Sequence, residues 1–174
     1  MFTIRIHGRA GQGCHKAAKI IGRAAFLSGY YVQDSVVYGP ERRGAPVESF
    51  VRIDNKPITE RGFIINPDFI LIFDDSLEYK TILQDCSESM LIINTKMPKK
   101  KFQKFVKSIS VIDANDLSKE ILGETLPNTM MLGALVKKFN KLSLKVIEKA
   151  IDIEIGELKT ENKEALHQGY KKVR

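Results

Sequence analysis

Ile4-Arg5-Ile6-His7-Gly8-Arg9-Ala10-Gly11-Gln12-Gly13-Cys14-His15-Lys16-Ala17 is the stretch on which the fold turns. Ile4 and Ile6 form a short strand, and the glycines at 8, 11 and 13 make a turn. Ala17, Ile20, Ile21, Ala24 and Leu27 then recur at helical spacing. Ser28-Gly29 closes that helix, and Tyr30 to Gln33 suits a second strand. Strand, glycine turn, helix and strand make a β-α-β unit, whose crossover is expected to be right-handed.

Further along, Asp34 to Pro46 is rich in Gly, Pro and Arg and is expected to be a loop. Val47, Ser49, Val51 and Ile53 alternate with Glu48, Phe50 and Arg52, which predicts a strand that Asp54-Asn55 ends. Phe69 to Phe73 is a continuous apolar run, the mark of a buried parallel strand, and Leu91 to Ile93 and Ile109 to Ile112 resemble it. Asp74-Asp75, Asn94 and Asp113 follow these runs and suit the carboxyl edge of an open α/β sheet, where such folds place their sites. Helices are expected over Asn128 to Phe139, Leu144 to Ile151 with Ser143 as N-cap, and Glu161 to Tyr170. Without a repeat or a linker, the expectation is one domain over residues 1–174. Its fold class is α/β, a three-layer α/β/α sandwich with a mostly parallel, Rossmann-like sheet.

The longest apolar run is far short of the roughly 20 residues that span a membrane. The amino terminus lacks the pattern of a signal peptide. Cys14 and Cys86 are the only cysteines and form no CxxC pair, so the chain cannot assemble a disulfide framework or an iron–sulfur ligand set by itself. These features point to a cytoplasmic protein.

Its net charge of +7 is unevenly placed. Residues 1–62 hold ten Lys and Arg against five Asp and Glu, and residues 63–174 hold eighteen against sixteen. Every arginine except Arg174 lies in the first part, and guanidinium groups suit bidentate contact with phosphate or carboxylate. The run Lys96, Lys99, Lys100, Lys101, Lys104 and Lys107 lacks a nucleic-acid-binding module signature and is expected to be a solvated helix face.

Gly8 to Gly13 is neither a Walker A loop, which would continue Gly13 with Lys-Ser or Lys-Thr, nor a full dinucleotide fingerprint, since Lys16 stands where a third small residue belongs. Asp34 does lie at the distance of a ribose-binding acid. Spacing alone leaves two readings open, a tight structural turn and an anion cradle at a helix start. Cys14 is read as a small packing residue, and His7, His15 and His167 have no metal-ligand spacing. The second distinctive segment, Tyr38-Gly39-Pro40-Glu41-Arg42-Arg43-Gly44-Ala45-Pro46-Val47, holds two arginines between shape-fixing residues and points to a ligand or a partner subunit.

Together these segments resemble the gamma subunit of 2-oxoacid:ferredoxin oxidoreductases, closest to its pyruvate branch. The carrying residues are Gly8-x-x-Gly11-Gln12-Gly13, the Tyr38 to Val47 segment, Arg52-Ile53-Asp54-x-x-Pro57-Ile58, Asn128-Thr129-Met130-Met131-Leu132-Gly133-Ala134 and Asn162-x-x-Ala165-x-x-x-Gly169-Tyr170. Arg9-Ala10 departs from relatives that carry a further glycine before Gly11.

The resemblance implies oxidative decarboxylation of pyruvate with coenzyme A to acetyl-CoA, carbon dioxide and reduced ferredoxin. The chain would act within a complex of alpha, beta and delta type subunits, with thiamine diphosphate, magnesium and iron–sulfur clusters on those partners. The 2-oxoisovalerate or 2-oxoglutarate enzyme is the nearest alternative. For this chain it implies no catalytic residue and no metal site. Coenzyme A is its one candidate ligand, with Gly8, Gly11, Gln12, Gly13, Tyr38, Arg42, Arg43, Gly44 and Asn128 as candidate binding residues. A free-standing NAD-dependent enzyme and a nucleic-acid binder are the readings from other classes.

Overall fold

The computed structural model describes residues 1–38 and 44–174, with Tyr38 described by its backbone. The Glu41-Arg42-Arg43 part of the second loop lies outside the described residues.

Among the described residues, six strands form one sheet in the order β2-β3-β1-β4-β5-β6. They are β1 (Phe2–Arg9), β2 (Tyr31–Tyr38), β3 (Pro46–Asp54), β4 (Phe69–Ile72), β5 (Met90–Asn94) and β6 (Ser108–Ile112). β1, β4, β5 and β6 pair in parallel, and β3 runs antiparallel to both β1 and β2. Only β3 therefore opposes the common direction, and the sheet is mostly parallel as expected.

One expectation is corrected here. The second strand does not stop at Gln33: it continues to Tyr38, because β3 supplies a paired partner for every residue from Tyr31 to Tyr38. Residues 34–38 and Pro46, expected in a loop, therefore lie in strands. Within the β-α-β unit, β3 lies between β1 and β2.

One sheet face is covered by long helices. α1 (Cys14–Leu27) begins at Gly13 and ends where Ser28 and Gly29 bond back to its last carbonyls. α4 (Asn128–Lys138), α5 (Leu144–Glu154), capped by the Ser143 hydroxyl, and α6 (Lys159–Lys172) complete the layer beside α3 (Ala114–Leu122). Ile4, Ile6, Val51, Ile53, Leu71 and Ile92 point into this core. The other side chains of β4 to β6, such as Ile70, Ile72, Leu91 and Ile93, enter a second core with Leu83 and Phe102. That core is closed by the short α2 (Tyr79–Ile82) and by loops, so the third layer is thin.

The lysine run lies in this thin layer and is not a helix face. Lys99–Lys101 is a single 3-10 turn, because Phe102 and Val106 are drawn into the second core. Its lysines are exposed; Lys96 pairs with Asp116 at 2.6 Å and Lys107 pairs with Glu88. Among the described residues, no helix is long and apolar enough to cross a membrane.

Candidate functional site

Register gathers the first glycine loop and the ends of the arginine segment at one edge of the sheet. Gly8 pairs with Val47, and Val47 pairs with Tyr38, so these three backbones form one row at the end of β1. The Ala10 N–H donates to the Ala45 carbonyl at 2.8 Å, and Arg9 Nη1 donates to the Gly44 carbonyl at 3.1 Å. The described ends of the arginine-bearing segment thus meet the glycine loop directly.

Each glycine here has a steric or conformational reason. A Cβ at Gly8 would collide with the Cys14 sulfur. Gly11 and Gly13 have φ of 101° and 77°, the left-handed region that side chains rarely adopt. A Cβ at Gly13 would stand 2.5 Å from Asn128 Nδ2, so the buried Asn128 at the start of α4 fits because position 13 is bare. The Asn128 side-chain oxygen accepts from the Thr129 N–H at 2.7 Å.

Polar side chains hold the loop in shape. Gln12 Oε1 accepts from the Arg9 N–H at 2.8 Å, and Gln12 Nε2 donates to Asp74 Oδ2, also at 2.8 Å. Arg9 Nε lies 3.3 Å from the same carboxylate oxygen, and Arg9 Nη2 donates to the Ser76 hydroxyl at 2.8 Å. Burial opposes ionisation of Asp74, but hydrogen bonds from Ser76 and Gln12 and the Arg9 charge outweigh it and hold its carboxyl below the usual range. Sequence reasoning placed Asp74 at the carboxyl edge of the sheet but gave it no partner, and it gave Arg9 and Ser76 no part in the site. The available signal was the acidic pair closing the Phe69 to Phe73 run.

This geometry sets a pH dependence. A depressed carboxylate pKa contributes stability that is complete above the unfolded value, about 3.9, and is lost as the pH falls through the folded value. Asp74→Asn is expected to remain less stable than wild type at pH 7, with the gap closing toward pH 3 in urea unfolding. A gap that stays constant with pH contradicts the role given to the charge.

α1 starts at this loop without a side-chain cap, over a concavity of about 290 Å³ lined by Arg9, Ala10, Gly11, Gly13, Cys14, His15, Lys16 and Val47. A helix start of this kind offers backbone N–H groups and a partial positive charge to an anion. Lys16 turns away, donating to the Glu154 carbonyl at 2.9 Å. Cys14 is buried in the core and its thiol is pushed up to about 12, chiefly by burial, which suits a packing residue.

The expected carboxyl-edge residues divide differently. Asn94 is spent on structure: its amide nitrogen donates to the Phe73 carbonyl and its oxygen accepts from the Ala114 N–H, both at 2.8 Å. Asp113 caps α3. Asp34 pairs with Val51, which pairs with Ile4, four residues before Gly8 and therefore about 13 Å down the strand from the glycine loop. A ribose held at that loop is beyond its reach, which removes the main support for the dinucleotide reading.

Of the nine candidate residues, Gly8, Gly11, Gln12, Gly13, Gly44, Asn128 and the Tyr38 backbone converge on one edge. Arg42 and Arg43 lie outside the described residues. Gly13 and Asn128 touch because α4 packs over the start of α1, a contact between positions far apart in the chain.

A family model described as pyruvate ferredoxin/flavodoxin oxidoreductase matches residues 3–172. The chain is 41% identical to the pyruvate/ketoisovalerate oxidoreductases common subunit gamma of Pyrococcus furiosus, over 99% of this chain and 97% of that one. The crystal structure of pyruvate oxidoreductase subunit PORC from Thermotoga maritima superposes with a TM-score of 0.88 at 36% identity, covering 99% of this chain and 97% of that chain. The fold also recurs within a longer protein, the 2-oxoglutarate:ferredoxin oxidoreductase of Magnetococcus marinus. There the TM-score is 0.83 at 19% identity, over 98% of this chain and 30% of that chain.

Proposed function

The chain belongs to the pyruvate ferredoxin/flavodoxin oxidoreductase family, and from that premise we propose that it is the gamma subunit of a pyruvate:ferredoxin oxidoreductase complex. The observation that carries this is end-to-end identity with gamma subunits, at 41% over 99% of the chain. The complex decarboxylates pyruvate oxidatively with coenzyme A, giving acetyl-CoA, carbon dioxide and reduced ferredoxin. Thiamine diphosphate with magnesium and the iron–sulfur clusters supply the carbon and electron chemistry from the alpha, beta and delta type partners. The gamma chain contributes as one domain over residues 1–174.

Its own residues suit an anion-holding and assembly role. The uncapped start of α1, the left-handed glycines at 11 and 13 and the adjoining concavity fit one phosphate group of coenzyme A. Arg42 and Arg43 add guanidinium groups to the segment whose ends meet that loop. Two unpaired thiols suit the reducing cytoplasm, where ferredoxin-linked chemistry has its partners.

A second reading is favoured by one observation. The Pyrococcus relative is named as a subunit common to pyruvate and ketoisovalerate enzymes, so this chain can serve a 2-oxoisovalerate complex as well. Native co-purification tests both. Partners bearing a thiamine-binding subunit and a ferredoxin-type cluster subunit are expected, and a second set of such partners marks a shared gamma chain. Recovery of this chain alone from the active fraction overturns the assignment.

A further inference from the structure

Among the described residues, no long helix covers the β2-β3-β1 half of the second sheet face. Tyr31, Gln33, Ser35 and Val37 of β2, Glu48, Phe50 and Arg52 of β3, and Arg5 and His7 of β1 alternate away from the core-facing residues of those strands. Among the described residues, the segment around 62–65 crosses this face, and Leu77 to Ile82 border it at β1. The crossing segment is fixed by Arg5 Nη1, which donates to the Ile64 and Ile65 carbonyls, and by Arg52, which donates to the Gly62 carbonyl.

Beside that segment a cleft of about 570 Å³ opens between Arg5, His7, Val37, Glu48, Leu77 and Ile82. Its rim is unusually apolar for a free surface: Val37 is 39% exposed, and Phe63 and Ile65 on the adjoining segment are 68% and 72% exposed.

The polar groups in the cleft are incompletely paired. Glu48 Oε1 lies 3.6 Å from Arg5 Nε and 3.4 Å from His7 Nε2, and neither contact is a hydrogen bond. Both nitrogens are buried and have no hydrogen-bond partner among the described residues, and His7 is only 9% exposed. Arg5 cannot move closer, because its Nη atoms are held by the Ile64, Ile65 and Ile82 carbonyls. Burial, with the Arg5 charge second, lowers the His7 pKa to about 3 and keeps the ring neutral. Among the described residues, no donor is in full contact with the Glu48 carboxylate, which is one-third exposed at the floor of an apolar cleft with Glu78 at its margin. Leaving such a group half-satisfied is costly once water is excluded.

Resting on the family assignment above, we propose that this open face docks a partner subunit of the complex. The cleft would receive a Lys or Arg side chain from that subunit against Glu48. The long apolar stem of such a residue fits Val37, Leu77 and Ile82, and its charged head meets the carboxylate. A second copy of this chain is disfavoured, since two bodies of +7 repel as they approach.

The test is capture of this chain by a tagged partner subunit of its own complex, with the affinity measured. Glu48→Gln removes the charge at constant shape and is expected to weaken binding by about thirtyfold or more. Val37→Arg blocks the rim with a bulky cation and is expected to do the same from an exposed position. Both variants should melt within a few degrees of wild type as isolated chains. Unchanged affinity in both overturns the docking proposal and leaves the family assignment standing. Self-association of the isolated chain that Val37→Arg abolishes overturns it in favour of a second copy. A wild-type chain that captures no partner overturns the gamma-subunit reading and this proposal together, a result distinct from capture that the variants leave intact.

Discussion

Gly169→Ala is expected to cost about 3 kcal/mol of stability, on the order of 10 °C in melting temperature for a chain of this size. α4 and α6 cross with their backbones in contact at two glycines. A Cβ on Gly169 would collide with the Met130 carbonyl, and one on Gly133 with the Leu166 carbonyl. These obstacles are backbone, not the movable ends of side chains, so the helices must separate. The surrounding positions Met130, Ala134, Ala165 and Leu166 are fully buried, which spreads that separation through the main core. Thr129 and Asn162 bridge the same helices at 2.6 Å, and their hydrogen bond would stretch as well. Gly156→Ala is the control: nothing lies within 4 Å of its Cβ position, and it should be neutral within a few tenths of a kcal/mol. Equal melting temperatures for Gly169→Ala and wild type would refute the steric account.

In the assembled complex, Arg43→Ala is expected to raise the KM for coenzyme A about tenfold or more, with kcat at saturating coenzyme A little changed. One charge-assisted hydrogen bond to a phosphate is worth about 1.5–3 kcal/mol. Losing it weakens binding without touching the chemistry on the partner subunits. Gly13→Ala should move the same parameter by another route. Its φ of 77° strains any side chain, and its Cβ presses on Asn128, so the start of α1 shifts away from its anion-holding position. Thiamine and cluster content should stay at wild-type levels in both variants. A fall in complex recovery, with the KM for coenzyme A unchanged, would instead make the arginine segment a subunit contact.

The elements that could be read in advance were those with a strong local period. Phe69 to Phe73, Leu91 to Ile93 and the helix beginning near Ala17 emerged with shifts of one to three residues at their ends. β2 was read too short because Asp34 and Ser35 look like loop residues. What makes them a strand is pairing with β3, a partner more than ten residues away. The lysine run was misread as a helix face for a related reason: Phe102 and Val106 are held by a core whose other members lie in β4, β5 and β6.

The candidate site divides along the same line. Gly11 and Gly13 announce a left-handed turn at a helix start through their identity alone, and the motif set around them identifies the family. The struts that hold the loop, Arg9, Asp74 and Ser76, come from β1 and from the end of β4, and nothing local marks them as partners. Arg5, His7 and Glu48 were equally silent, although charged residues alternating with Ile4 and Ile6 hint at a strand whose second face carries polar work.

By itself, then, the sequence determined the glycine turn, the buried strands, the carboxyl-terminal helices and the family, because side-chain period and backbone freedom act over a few residues. The tertiary structure alone decided that β3 lies between β1 and β2, that α4 and α6 touch at Gly133 and Gly169, and that Arg5, His7 and Glu48 meet in one cleft. These features depend on register and close approach between segments distant in the chain. Their energies come from contacts that no local window contains.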